Sequence, residues 1–240
     1  MVLLYLCFSL AALYLLIRWQ RAHPYHQWRK RLQLARHESV FNQLYETVNG
    51  FELSKQARQS QDAPEYVYGE IEFESFIALI ALCKPDADCI FYDLGSGAGK
   101  AVLACAMVFP VKKSYGVELF GNLHQCANRQ KQTLSTLTGY SHCQDQITFI
   151  QSDLLHIPLT DATLIFINAT SFFGYLWQQI SIHLEQIPND AIVISTSKKL
   201  ASDKFSVDLI TRVNMSWGPV HAYIQRRLPD NGSIELPEKF

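Results

Sequence analysis

The stretch Phe91-Tyr92-Asp93-Leu94-Gly95-Ser96-Gly97-Ala98-Gly99-Lys100 constrains the fold more than any other part of the chain. An apolar run, residues 89–92, ends in an acid and three glycines at alternate positions, and a helix-forming run, residues 100–108, follows at once. That order predicts a buried strand, a tight turn and a helix. Glycine permits positive φ and carries no Cβ, so a ligand can lie against bare peptide groups there. The helix start behind the turn offers unpaired N–H groups and partial positive charge, which suits a carboxylate or phosphate.

The rest of the chain repeats the alternation. Strands are predicted near residues 114–118, 147–150, 164–167 and 191–195, with helices near 122–137 and 175–186 between them. Two further strand-like runs, 209–213 and 221–225, are bridged by Asn214-Met215-Ser216-Trp217-Gly218-Pro219. A helix is expected through Phe73, Phe76, Ile77, Ile80 and Ala81, ahead of the first strand. Strands alternating with helices indicate an α/β fold with a doubly wound parallel sheet, covered on both faces. Ligands of such sheets sit beyond the carboxyl ends of the strands, at the topological switch point. Asp93, Glu118, Asp153 and Asn168 all fall at those ends.

Composition narrows the class. A chain of 240 residues with 48% apolar content can bury one substantial core. The net charge of −1 gives no global positive field, so a nucleic-acid partner is not expected. The six cysteines are dispersed without a C-x-x-C pair, and the eight histidines show no ligand spacing, so neither a disulfide frame nor a metal site is expected.

The N-terminus is the outlier. Residues 1–17 carry no charge, and six basic residues follow before the first acid, Glu38. As a helix this run would be about 25 Å long, against a hydrocarbon core of about 30 Å. Trp19, Tyr25 and Trp28 suit the interface, so residues 1–19 are expected to form a transmembrane anchor. The basic flank would then place everything after it in the cytoplasm, as a single-pass membrane protein. Residues 20–65 read as a basic and helical juxtamembrane lead, with a helical pattern in Val40, Phe41, Leu44, Tyr45 and Val48 that ends at Asn49-Gly50. Polar loop is expected over residues 55–63. The catalytic domain is expected over residues 66–228, with a tail over 229–240.

The glycine turn alone is shared with nicotinamide and flavin proteins, as is an acid such as Glu118, 19 residues past Gly99, that can accept both ribose hydroxyl protons. The G-x-G-x-G spacing tilts the reading toward a methyl donor, S-adenosylmethionine. Asp153 adds to it, because an acid after the third strand can accept a hydrogen bond from the adenine amino group; the same residue also reads as a helix cap.

Tyr68-Gly69-Glu70, the glycine turn, Tyr115-Gly116-Val117-Glu118 and Ile165-Phe166-Ile167-Asn168 come in that order. Together they resemble the catalytic core of the non-SET histone lysine methyltransferases, the disruptor-of-telomeric-silencing family. The resemblance runs from about Tyr66 to Arg227. It implies a seven-stranded class I methyltransferase (Rossmann-like) fold, S-adenosylmethionine as donor and a protein lysine as acceptor. It implies Tyr68, Gly69 and Glu70 as a loop over the methionine end. Asp93, Gly95, Ser96, Gly97, Gly99 and Lys100 would lie around the donor, with Glu118 on ribose and Asp153 and Leu154 near adenine. Asn168 would sit beside the transferred methyl, and Phe172 or Phe173 would line the acceptor channel. Phe172, Phe173, Trp217 and Tyr223 are the candidates for the aromatic wall of that channel. The chain departs from the family pattern at Ile71, where the family has threonine. It departs again in Asn168-Ala169-Thr170-Ser171-Phe172-Phe173-Gly174, which holds one asparagine instead of two, and at His221, where the family has tyrosine. A membrane-tethered adaptor without catalysis, and a methyltransferase for a small molecule, are the alternative readings.

Overall fold

The structure, a computed structural model, describes residues 23–59 and 62–230. Residues 23–31 are helical. Two helices follow, α1 (Leu34–Tyr45) and α2 (Gly50–Ala57), and then α3 (Phe73–Cys83). From there strands and helices alternate: β1 (Ile90–Leu94), α4 (Lys100–Val108), β2 (Lys113–Glu118), α5 (Gly121–Thr136), the single turn α6 (Cys143–Gln146) and β3 (Ile147–Gln151). β4 (Leu164–Ile167), α7 (Gly174–His183), β5 (Ile192–Thr196), β6 (Phe205–Met215) and β7 (Gly218–Arg227) complete the order.

The seven strands form one sheet in the order β3-β2-β1-β4-β5-β7-β6. β1 to β5 run parallel, and β7 inserts antiparallel between β5 and β6. The order reverses between β1 and β4, so a crevice opens at their carboxyl ends. This is the seven-stranded class I arrangement that the resemblance implies.

Both faces of the sheet are apolar, as a doubly covered parallel sheet requires. Phe91, Leu164, Phe166 and Ile194 point into a core shared with α1, α3, α4 and α5. Tyr92, Leu94, Ile165, Ile167 and Val193 point the other way, against Trp177, Ile180 and Leu184 at α7. This side-chain alternation along each strand holds the sheet's register.

Local chemistry departs from expectation in three places. Asn49-Gly50 opens α2 instead of ending a helix, because the Asn49 side chain accepts from Glu52 N at 3.1 Å as an N-cap. α2 therefore runs into the segment expected to be loop, and α1 is part of the core through Leu34, Phe41, Leu44 and Tyr45. Near the end, β6 and β7 are longer than expected, since cross-strand pairing carries both into the 214–219 segment and leaves only Ser216 and Trp217 in the turn.

The expected N-terminal transmembrane helix is corrected. Among the described residues no helix is long and apolar enough to cross a membrane. Residues 1–19 lie outside the described residues. With the helix go the membrane as partner and the single-pass membrane localisation. The uncharged run of residues 1–17 is also shorter than the roughly 20 residues a span needs, so hydropathy alone overreached.

One ring positions the glycine turn against the sheet. A Cβ on Gly116 of β2 would lie 2.6 Å from Cδ1 of Phe149, and a Cβ on Gly99 would lie 2.6 Å from Cζ of the same ring. Phe149 thus fills the space left by two missing side chains. Gly116→Ala is expected to lower stability by about 1–3 kcal/mol through overpacking, read as the urea midpoint. The same substitution in a Phe149→Leu background should cost less, because the ring that it meets is gone.

Candidate active site

The turn after β1 is held by the end of β2. Gly95 N and Ser96 N both donate to Val117 O at 2.9 Å. The Glu118 carboxylate accepts from Gly97 N at 2.7 Å and from Phe120 N at 2.9 Å, one bond on each oxygen. Gly95, Gly97 and Gly99 sit at φ of +83°, +54° and +83°, conformations that L side chains rarely adopt. A Cβ on Gly95 would meet nothing within 4 Å, so the bare backbone faces open space. A Cβ on Gly97 would lie 2.6 Å from Cε2 of Tyr68. The glycine at 97 therefore makes room for the Tyr68 ring.

Tyr68 belongs to a loop folded over that turn. Its hydroxyl donates to Glu70 Oε1 at 2.8 Å, and Lys100 Nζ donates to Glu70 Oε2 at 2.6 Å. The loop is tied to the β6–β7 hairpin: Ser216 N donates to Glu70 O at 2.8 Å and Glu72 N to Asn214 O at 3.0 Å. A Cβ on Gly69 would land on the Trp217 ring, so Trp217 covers this loop from outside. From the other side, Tyr45 of α1 donates to Ala98 O at 3.1 Å, and the Lys100 ammonium lies 5.1 Å over its ring.

The remaining strand ends supply polar groups. Asp153 Oδ1 accepts from Leu155 N at 2.9 Å and so caps the short turn Leu154–His156. Asn168, just past β4, is held on both sides of its amide. Its Oδ1 accepts from Thr196 Oγ1 at 2.7 Å and Thr170 Oγ1 at 3.0 Å, and its Nδ2 donates to Gly69 O at 3.3 Å.

These groups enclose one cavity of about 350 Å3. Tyr68, Gly69, Glu70, Asp93, Gly95, Ser96, Gly97, Lys100, Glu118, Asp153, Leu154, Asn168 and Phe172 all line it. Gly99 does not, and serves packing through its contact with Phe149. Phe173 and Tyr223 are not among the lining residues. Phe173 is 64% exposed, and Tyr223 sits on β7 opposite Ser195 and Ile210.

The cavity is electrostatically unfinished. Asp93 and Glu118 are both buried. Burial, and then the neighbouring Glu118 charge, push the Asp93 carboxyl up to about 8. Glu118 is also raised by burial, while the amides of Phe120 and Gly97 pull it back down. An opposite charge in the cavity favours the ionised form of both acids, so a cationic ligand and their ionisation support each other. Ser96 lines the same cavity, and its Oγ is buried without a hydrogen-bond partner beside Gly116. Each Glu118 oxygen keeps a lone pair after its backbone bond. Bare glycine backbone, free carboxylate lone pairs and buried acids whose ionisation a cation favours fit a cationic nucleoside such as S-adenosylmethionine.

Comparison with known proteins agrees with this geometry. The family described as histone methylation protein DOT1 matches residues 51–217, more than half of the chain. The chain belongs to the DOT1 family. Among its relatives, a protein of Caenorhabditis elegans named histone-lysine N-methyltransferase, H3 lysine-79 specific, is 31% identical over 145 residues. That match covers 57% of this chain and 15% of the relative. A protein of the same name from Drosophila melanogaster is 25% identical over 176 residues, covering 70% of this chain and 9% of the relative. The chain thus spans only a small part of the length of these DOT1 relatives. Among solved structures, an RNA methyltransferase from Salinibacter ruber in complex with S-adenosyl-L-homocysteine superposes with a TM-score of 0.51. It is 21% identical, with 69% of this chain and 95% of that chain covered. TrmN from Thermus thermophilus gives a TM-score of 0.54 at 16% identity, with 72% and 53% covered. At these identities the likeness is one of fold.

Sequence reasoning missed Tyr45, because α1 read as a lead to the domain, and Thr196, which buries its hydroxyl against Asn168. The rule that found the other strand ends applies to Ser195-Thr196-Ser197, the polar end of β5, and would have found Thr196.

The Asp93 shift has a definite sign. An acid whose value rises on folding binds its proton more tightly in the native state, so stability falls as pH rises from the ordinary 3.8 through about 8. Asp93→Asn should flatten this part of the pH–stability curve of the ligand-free chain. Urea midpoints between pH 5 and pH 8 (on the order of the window just given) test it; parallel curves for the two proteins would contradict it.

Proposed function

We propose that the chain is an S-adenosylmethionine-dependent protein-lysine N-methyltransferase. The observation that carries this is the convergence of the Tyr68-Gly69-Glu70 loop, the Gly95–Gly97 turn, Glu118, Asp153 and Asn168 on one cavity. When bound, S-adenosylmethionine supplies a methyl on a sulfonium centre, open to in-line displacement by a neutral amine.

The chain's own residues do the rest. Glu118 offers one free lone pair on each oxygen to the ribose hydroxyls, while its backbone bonds keep the carboxylate fixed. Glu70 and Lys100 form an ion pair at the loop, and a zwitterionic amino-acid end satisfies both partners: the carboxylate of Glu70 takes the ammonium and Lys100 takes the carboxylate. Asp153 keeps one oxygen beyond its capping bond for the adenine amino group, beside Leu154. The bare amides of the glycine turn complete the cradle.

On the acceptor side, Asn168 and Phe172 line the cavity. A lysine acceptor must lose its proton first, against a free pKa of about 10.4. The Phe172 wall disfavours the ammonium by desolvation. Holding amine and methyl at near-attack distance then supplies most of the rate. No dedicated base is required, because water can take the proton as the amine enters. Phe173 and Tyr223, outside the cavity wall, do not line the acceptor side in this scheme.

The test is transfer of isotope-labelled methyl from S-adenosylmethionine to purified core histones, mapped by mass spectrometry. Label on a lysine is expected. Gly97→Val should abolish transfer by displacing Tyr68, and Glu118→Ala should weaken S-adenosylhomocysteine binding by about 1–3 kcal/mol. Normal ligand binding by both variants would contradict the assignment of the donor site. Donor binding without label on histones or on any lysate protein would contradict the activity.

A further inference from the structure

The segment that carries Asn168 and Phe172 to α7 is gripped along its length by the turn that follows β5. Thr196 Oγ1 donates to Asn168 Oδ1 at 2.7 Å and accepts from Ala169 N at 3.1 Å. Ser197 Oγ lies 2.7 Å from Thr170 Oγ1, which in turn donates to Asn168 Oδ1. The last grip is a charge. Lys198 Nζ donates to Phe172 O and, at 3.5 Å, to Thr170 O, and it sits 3.9 Å from the centroid of the Phe173 ring.

Lys198 is half-buried, yet no carboxylate among the described residues pairs with it. A desolvated ammonium is costly unless other groups replace its water. Here two carbonyls and one aromatic face replace it, and all three belong to residues 170–173. The turn that presents Lys198 is itself rigid. Ser197 takes φ of +66°, rare for a residue with a side chain, and its N–H donates to His221 O at 2.7 Å. Ser195 Oγ donates to Lys198 O at 2.7 Å, and Gln225 Nε2 donates to that same hydroxyl at 2.9 Å.

The arrangement explains how two adjacent phenylalanines take opposite sides. Phe172 lines the cavity, while Phe173 is turned out over the ammonium. Packing of Phe172 against the core favours that ring inside, and the cation holds the other ring outside. We propose that Lys198 is a positioning residue for methyl acceptance: it holds residues 170–173 so that Phe172 walls the acceptor side of the cavity. The glycine turn and Glu118 on the donor side make no contact with Lys198, and the donor loop meets the held segment only through the Asn168 bond to Gly69 O and the Ser171 bond to Glu65 O. This rests on the methyltransferase reading given above.

The test compares Lys198→Met, which keeps length without charge, with Lys198→Arg, which keeps charge and two-carbonyl reach. Three readouts are taken on the full chain: S-adenosylhomocysteine affinity by calorimetry, amide hydrogen exchange over residues 168–176, and steady-state methyl transfer to core histones. Lys198→Met should lower kcat tenfold or more and speed exchange in the segment, with donor affinity within twofold of the parent. Lys198→Arg should stay within threefold on all three. Phe173→Leu should move exchange and kcat in the same direction by less, and should add nothing in the Lys198→Met background. If Lys198→Met fails to fold, Lys198→Arg and Phe173→Leu decide by the same criteria. Exchange and turnover unchanged in Lys198→Met, or in Phe173→Leu if that variant must decide, would overturn the proposal, as would a loss of donor affinity equal to the loss of turnover. If the parent chain labels no protein, the methyltransferase reading fails, while the exchange and affinity readouts still judge the clamp.

Discussion

Two backbone amides from different turns, Gly97 N and Phe120 N, meet on one buried carboxylate, Glu118. That interaction closes the glycine turn after β1 onto the end of β2, and every other part of the site is placed relative to it. Its cost is a second buried acid alongside: burial, and then the Glu118 charge, push the Asp93 carboxyl up to about 8. A site built in this way is stable empty only because backbone N–H groups offset part of the burial of Glu118. It gains further when a cation enters. The same two carboxyls suit a positively charged ligand, whose charge favours their ionised forms.

Around this centre the fold divides the work between its two halves. β1, β2 and β3 with α4 and α5 supply the donor side, in which Phe149 fixes the turn against the sheet and Tyr45 reaches in from α1. The segment after β4, with Asn168 and Phe172, borders the side proposed for the acceptor and is braced by Thr196 at the end of β5. The β6–β7 hairpin carries the Tyr68-Gly69-Glu70 loop on its main-chain bonds, and Asn168 reaches back to Gly69 O. The two sides therefore meet at one loop, which closes over the donor and borders the acceptor.

Much of this was legible in the sequence for physical reasons. The parallel strands bury both faces and read as continuous apolar runs, so their number and order emerge from residues such as Phe91, Phe166 and Val193. Polar residues at strand ends stand out against those runs, which is why Asp93, Glu118, Asp153 and Asn168 could be picked out. Contacts that depend on tertiary closure left no periodic trace. Tyr45 lies on an amphipathic helix that any domain could carry as a lead, and its bond to Ala98 O spans 53 residues. Lys198 reads as one more surface lysine until the carbonyls of residues 170–173 are brought to it. The N-terminal hydropathy pattern led furthest astray, because apolar composition over 17 residues does not distinguish its possible partners.

Membership of the DOT1 family and the site geometry point the same way on the donor, while the departures at Ile71 and in the 168–174 segment fall on residues beside the cavity. The account depends most on the donor lying across the carboxyl ends of β1, β2 and β4. A crystal structure of the chain with S-adenosyl-L-homocysteine measures this directly. The account predicts both ribose hydroxyls on the Glu118 carboxylate and the amino-acid end between Glu70 and the Gly95–Gly97 amides. Ligand bound away from Glu118, with the cavity left to solvent, would contradict it.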